Sequence, residues 1–177
     1  LKSYPSIKFL EFRLNHFEKL TQSDPPCLRK LRTLSFLRMV DDATLRQFMT
    51  DNKLINLSNI TSLICCKDAT NISLQSFVTF LPKLTQLQYL RIDGFHASVD
   101  ADTISKILPN LKGFVSFAGG IKCRDLINKI SDNLQYLGYR DTEQINPDFS
   151  GANFSKLEQF IGMYLSERLV RTMLKSA

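Results

Sequence analysis

Seven times along the chain one short phrase returns: one or two polar residues, Leu or Ile, two variable residues, Leu or Phe, one variable residue, and then usually an apolar one. It reads Ile7-Lys8-Phe9-Leu10-Glu11-Phe12, Leu31-Arg32-Thr33-Leu34-Ser35-Phe36 and Ile60-Thr61-Ser62-Leu63-Ile64-Cys65. It continues as Leu87-Gln88-Tyr89-Leu90-Arg91-Ile92, Leu111-Lys112-Gly113-Phe114, Leu134-Gln135-Tyr136-Leu137-Gly138-Tyr139 and Leu157-Glu158-Gln159-Phe160-Ile161-Gly162. The first anchors are separated by 24, 29, 27, 24, 23 and 23 residues. Within each phrase the second anchor and the residue two further on share one side, and the variable residues take the other. The phrase therefore predicts a short strand buried on one side.

The intervening segments change to helical spacing. Asp42 is placed to cap a helix over Ala43–Met49, with Leu45, Phe48 and Met49 on one face. Ser73 caps Leu74–Leu81, where Leu74, Phe77, Val78 and Leu81 follow the i, i+3, i+4, i+7 pattern. Asp102 caps Thr103–Leu108, and two further helices are expected over Cys123–Ser131 and Ser166–Ser176. Asn146–Phe154, with Pro147 and Gly151, reads as a loop or one short helical turn. Pro82 and Pro109 fall just past helix ends, where proline cannot extend a helix. A strand and a helix of this kind cannot bury both apolar faces alone, whereas stacked copies can.

Seven L-x-x-L-x-Φ phrases at 23–29-residue spacing resemble the leucine-rich-repeat family. The resemblance implies an α/β solenoid of about seven strand-plus-helix units over residues 1–177, with a concave parallel sheet and convex helices. The array departs from the regular pattern. The Asn expected eight residues after each first anchor occurs only at Asn15, the other positions being Met39, Asp68, Phe95, Gly119, Thr142 and Leu165. Such irregular repeats are most similar to those of F-box receptor proteins or of the arrays that close NLR-type immune sensors. The segments Met39-Val40-Asp41-Asp42-Ala43-Thr44-Leu45 and Ser98-Val99-Asp100-Ala101-Asp102-Thr103-Ile104 resemble the turn into the helix of such repeats.

Composition narrows the function. At 44% hydrophobic and 23% charged residues, the chain can bury one continuous core and is not globally disordered. A net charge of +6, from 23 basic and 17 acidic residues, contains no run of five like charges. No apolar stretch approaches a membrane span, so no membrane partner is expected. The chain opens at Leu1-Lys2-Ser3-Tyr4 and reads as part of a longer protein. Cys27, Cys65, Cys66 and Cys123 lack CxxC spacing, which suits reduced thiols and a cytoplasmic or nuclear location. The N-x-S/T sequons at Asn56, Asn59, Asn71 and Asn153 are read as chance in a Ser/Thr-rich chain.

Catalytic and metal chemistry find little support. His16 and His96 have no ligand-type neighbours at metal-binding spacing. Cys65 and Cys66 are adjacent on a strand and point to opposite faces, with no base to activate a thiol. Gly119-Gly120 lacks a phosphate-loop context and reads as a turn, and Asp100 and Asp102 read as helix capping. No enzyme activity, cofactor or metal is expected.

The variable strand residues point instead to binding. On the concave side the register places Tyr89, Tyr136, Phe117, Ile64, Val115 and Ile161, interspersed with Arg91 and Arg140. Aromatic residues and arginine dominate interface hot spots, so Tyr89, Arg91, Phe117, Tyr136 and Arg140 are the candidate centre of a protein-binding patch. A slip of one residue would put these side chains in the core instead. The leading expectation is a protein-interaction module, the substrate- or ligand-recognition part of a larger adaptor such as an F-box-type ubiquitin ligase receptor. The alternatives are an RNA- or other nucleic-acid-binding repeat domain and an architectural subunit of a stable complex.

Overall fold

The computed structural model describes residues 8–12, 30–36, 42–51, 55–65, 74–93, 101–119, 121–141, 149, 151–163 and 171. Every recurrent phrase becomes a strand: β1 (Phe9–Phe12), β2 (Thr33–Phe36), β3 (Ser62–Cys65), β4 (Tyr89–Ile92), β5 (Gly113–Gly119), β6 (Tyr136–Asp141) and β7 (Gln159–Met163). Six parallel pairings join them, in chain order, into one seven-stranded open sheet. Among the described residues four α-helices lie between strands: α1 (Asp42–Asp51), α2 (Leu74–Phe80), α3 (Ala101–Ile107) and α4 (Ile121–Ile130). The fold class is thus α/β, with a parallel sheet as expected. No helix among the described residues is long and apolar enough to cross a membrane.

The register follows from the phrase. Second anchors align laterally as Leu10↔Leu34↔Leu63↔Leu90↔Phe114↔Leu137↔Phe160. From Leu34 to Leu137 they are buried, and so are the first anchors Leu31, Ile60, Leu87, Leu111 and Leu134. Leu45 and Phe48 from α1, Phe80 from α2, Ile104 from α3 and Leu126, Ile127 and Ile130 from α4 join the same cluster. One sheet face and the apolar helix faces therefore share a single core. Phe36, Phe48 and Phe80 form an aromatic triad in it, with ring centroids 5.9, 6.3 and 6.2 Å apart. Tyr139, Phe149 and Phe154 stack edge to face at 5.7 and 6.0 Å near the other end. Leu157 and Phe160, on the last repeat, are only partly buried.

A second regularity sits just ahead of each strand. The carbonyl of the residue after each first anchor accepts two N–H groups from the next repeat. The Lys8 carbonyl takes those of Arg32 and Thr33, Arg32 those of Thr61 and Ser62, and Thr61 those of Gln88 and Tyr89. Gln88 takes those of Lys112 and Gly113, Lys112 those of Gln135 and Tyr136, and Gln135 those of Glu158 and Gln159. The strands are thereby pinned side by side at their amino-terminal ends.

Some expectations shift. Asp102 is not a cap: α3 begins at Ala101, and Asp102 lies in its first turn, where its charge favours the helix dipole. α4 starts two residues before Cys123 and passes into a 3₁₀ turn over Ser131–Asn133. β5 runs to Gly119, and its pairing with β6 shifts register between Ser116 and Gly119. Gly119 therefore belongs to a strand rather than to a turn. The capping by Ser73 and all of Ser166–Ser176 except Arg171 fall outside the described residues.

Candidate binding face

The two sides of the sheet differ sharply in exposure. Leu90 and Ile92 are buried, while Tyr89 between the same neighbours is 45% exposed. The residues predicted to lie opposite the core do so, and the register is not slipped. Tyr89 and Ile161, the latter 50% exposed, are the exposed large hydrophobic residues among those described. Ile64, Val115, Phe117, Tyr136 and Arg140 are half-buried on the same face.

Lateral pairing sorts these side chains into rows. One row runs Ser62↔Tyr89↔Gly113↔Tyr136↔Gln159, and the next runs Ile64↔Arg91↔Val115↔Gly138↔Ile161. Gly113 separates the two tyrosines, and the Tyr89 ring leans over it. A Cβ built on Gly113 would stand 2.4 Å from Tyr89 Cδ1. Val115 covers Gly138 in the same way, its two methyl carbons 3.1 Å from where a Cβ would be. The glycines thus form floors over which the neighbouring side chains lie flat.

Arg91 and Phe117 meet directly, the guanidinium carbon standing 5.2 Å from the ring centroid. Asp93 holds them together. Its Oδ2 accepts from Arg91 Nε at 2.8 Å and lies 2.7 Å from Nη2, while its Oδ1 accepts the Phe117 N–H at 3.2 Å. Asp93 is only 7% exposed, so its carboxylate is sequestered by these partners. Arg91 of β4, Phe117 of β5 and Asp93 just past the end of β4 form one unit whose charges cancel. Asp93 was not among the candidate residues read from the sequence. The signal was the Arg-x-Asp spacing, which puts both side chains on one side of a strand.

Of the five predicted residues, the structure brings Arg91 and Phe117 into contact and sets Tyr89 and Tyr136 on either side of Gly113. Arg140 lies further along β6, opposite Met163 of β7. His16, His96, Cys66 and Gly120 fall outside the described residues. Cys65 is buried in the core. Among the described residues no group of His, Cys, Asp or Glu could hold a metal ion. The chain matches no protein-family model, no curated protein and no solved structure.

Proposed function

We propose that the chain is a leucine-rich-repeat solenoid whose concave sheet face binds a protein partner, serving as the recognition part of a larger, non-enzymatic adaptor in the cytoplasm or nucleus. The observation that carries this reading is the uncovered face of an all-parallel sheet. Parallel sheets ordinarily have both faces covered. Here, among the described residues, helices cover one face, and the other presents Tyr89 and Ile161 with Val115, Tyr136 and the Arg91–Phe117 pair. Aromatic and aliphatic side chains set in glycine-floored rows offer flat apolar contact. Because Asp93 neutralises Arg91, the middle of the face suits an apolar or aromatic partner segment better than an acidic one. The seven in-register phrases support the solenoid reading, since each unit buries its apolar side only against its neighbours.

The test pairs the wild-type chain with a Tyr89→Ala/Tyr136→Ala double variant in affinity capture, with a photo-crosslinker at position 161 to locate the contact. Binding of random RNA is measured in parallel at two salt concentrations. A protein crosslinked through position 161 by the wild type and lost in the variant supports the reading. Salt-sensitive RNA binding without such a protein sinks it.

A further inference from the structure

The doubled carbonyl acceptors form a ladder that is open at both ends of the sheet. At each step the carbonyl one residue after a first anchor takes two N–H groups from the following repeat, those one and two residues after its anchor. The last carbonyl of this kind belongs to Glu158, at the entry to β7, and the first such N–H groups belong to Lys8 and Phe9, at the entry to β1. Among the described residues β1 and β7 are the outer strands, each paired on one side only. Neither the Lys8 N–H nor the Glu158 carbonyl bonds to a described backbone group. Outer strands that keep free backbone groups are templates for pairing with another chain. Here one edge offers the acceptor of the missing step and the other edge its donors. Two β7 edges brought together by a two-fold axis would run antiparallel and could not form that step, and neither could two β1 edges. The step closes only when β1 lies parallel to β7.

The side chains favour the same arrangement. The row of residues one after the first anchors opens on Lys8 and Arg32 and closes on Glu158, the one acidic residue of its seven. Lys8 and Glu158 are both exposed. Continuing the row from β7 to a second β1 would set this carboxylate one strand spacing, about 4.8 Å, from an ammonium-bearing neighbour. Side chains of one row do reach each other across that spacing. In the row one before the anchors, Lys156 Nζ donates to Asn133 Oδ1 at 3.1 Å. The two rows run on either side of a hollow along β4 to β7, which groups Gln88 with Lys156. The apolar surface of β7 is also unfinished. Leu134 and Leu137 of the preceding repeat are buried, whereas Leu157 and Phe160 are only partly so, and Ile161 is 50% exposed. A strand laid on β7 would cover Phe160 as β7 covers Leu137, with Leu10 next in the row of second anchors.

We propose that the chain associates head to tail with copies of itself, β1 of one copy extending the sheet past β7 of the next. The Glu158 carbonyl then accepts the Lys8 and Phe9 N–H groups of the neighbouring copy, and the Glu158 carboxylate pairs with its Lys8 ammonium. Such a contact is heterologous and leaves one edge free at each end, so it builds an open series and does not stop at a dimer. It uses the edges of the sheet and does not depend on the function assigned to the open face.

The experiment is analytical ultracentrifugation of the full chain over a wide range of concentrations at low salt. The expected result is a weight-average mass that rises with concentration and passes that of a dimer. Lys8→Glu and Glu158→Lys, both at exposed positions and with folds verified by circular dichroism, each put like charges at the junction. Each should weaken association by about fivefold, the scale of one exposed ion pair. Mixing the two single variants should restore it, because each then supplies the charge that the other has lost. A contact between like edges would show no such rescue. Tyr89→Ala/Tyr136→Ala should associate like the wild type, which separates the sheet edges from the open face. A monomer mass at every concentration, a mass that stops at the dimer, single variants that associate like the wild type, a mixture no better than its components, or loss of association in the tyrosine variant overturns the proposal.

Discussion

The smallest unit that decides the character of the open face is a carboxylate. Asp93 joins the Arg91 guanidinium to the Phe117 backbone amide, and so ties β4 to β5 beyond the last regular pair. Asp93→Ala removes both acceptor oxygens and is expected to cost about 1–3 kcal/mol in urea denaturation. Asp93→Asn, which keeps an oxygen for the amide, should cost less. Arg91→Ala leaves the buried carboxylate without that guanidinium and should fall in the same range as Asp93→Ala. Gly113→Ala tests a different interaction. The new methyl meets the side of the half-exposed Tyr89 ring, at Cδ1 and Cε1, not backbone. Stability should stay within about 1 kcal/mol of wild type, the usual span of a Gly-to-Ala change in a strand. The ring, however, must leave its floor, and capture of the partner at the open face should weaken with little change in the melting curve.

At the scale of elements, the helices are held by what they bury. Phe48 of α1 touches Phe36 of β2 and Phe80 of α2, linking two repeats through one side chain. Phe48→Ala is expected to cost about 3–5 kcal/mol, read as a lower denaturation midpoint. By contrast, the Lys129–Asp102 pair between α4 and α3 is exposed at both ends. Lys129→Ala should change stability by less than about 1 kcal/mol, and added salt should not widen the gap. Strands and most helix positions were readable because each phrase carries its own alternation. Leu90 and Ile92 had to share a side that Tyr89 and Arg91 did not. The start of α3 was misread because Asp102 suits both a cap and a first helical turn. Three features had no local signal. The register shift between β5 and β6, the Tyr89 ring over Gly113 and the grouping of Gln88 with Lys156 all depend on which residue of one repeat lies beside which residue of the next.

For the whole molecule, stability should grade along the stack, because each repeat leans only on its neighbours. Anchors from Leu31 to Leu137 are buried, whereas Leu157 and Phe160 are only partly so. Amide hydrogen exchange should therefore be slowest in β4 and β5 and faster in β7. Uniform protection across β4 to β7 would mean that the last repeat draws on contacts beyond the described residues. The doubled carbonyl acceptors have a consequence for how such a chain can change over time. Intervals between first anchors range from 23 to 29 residues, yet every repeat enters the sheet through the same pair of bonds to the same position of its predecessor. Pitch is thus uncoupled from segment length. An insertion or deletion between strands alters the far side of the stack and leaves the alignment of the exposed rows as it was. A lineage could lengthen or trim these connectors freely while the open sheet face drifts only by substitution.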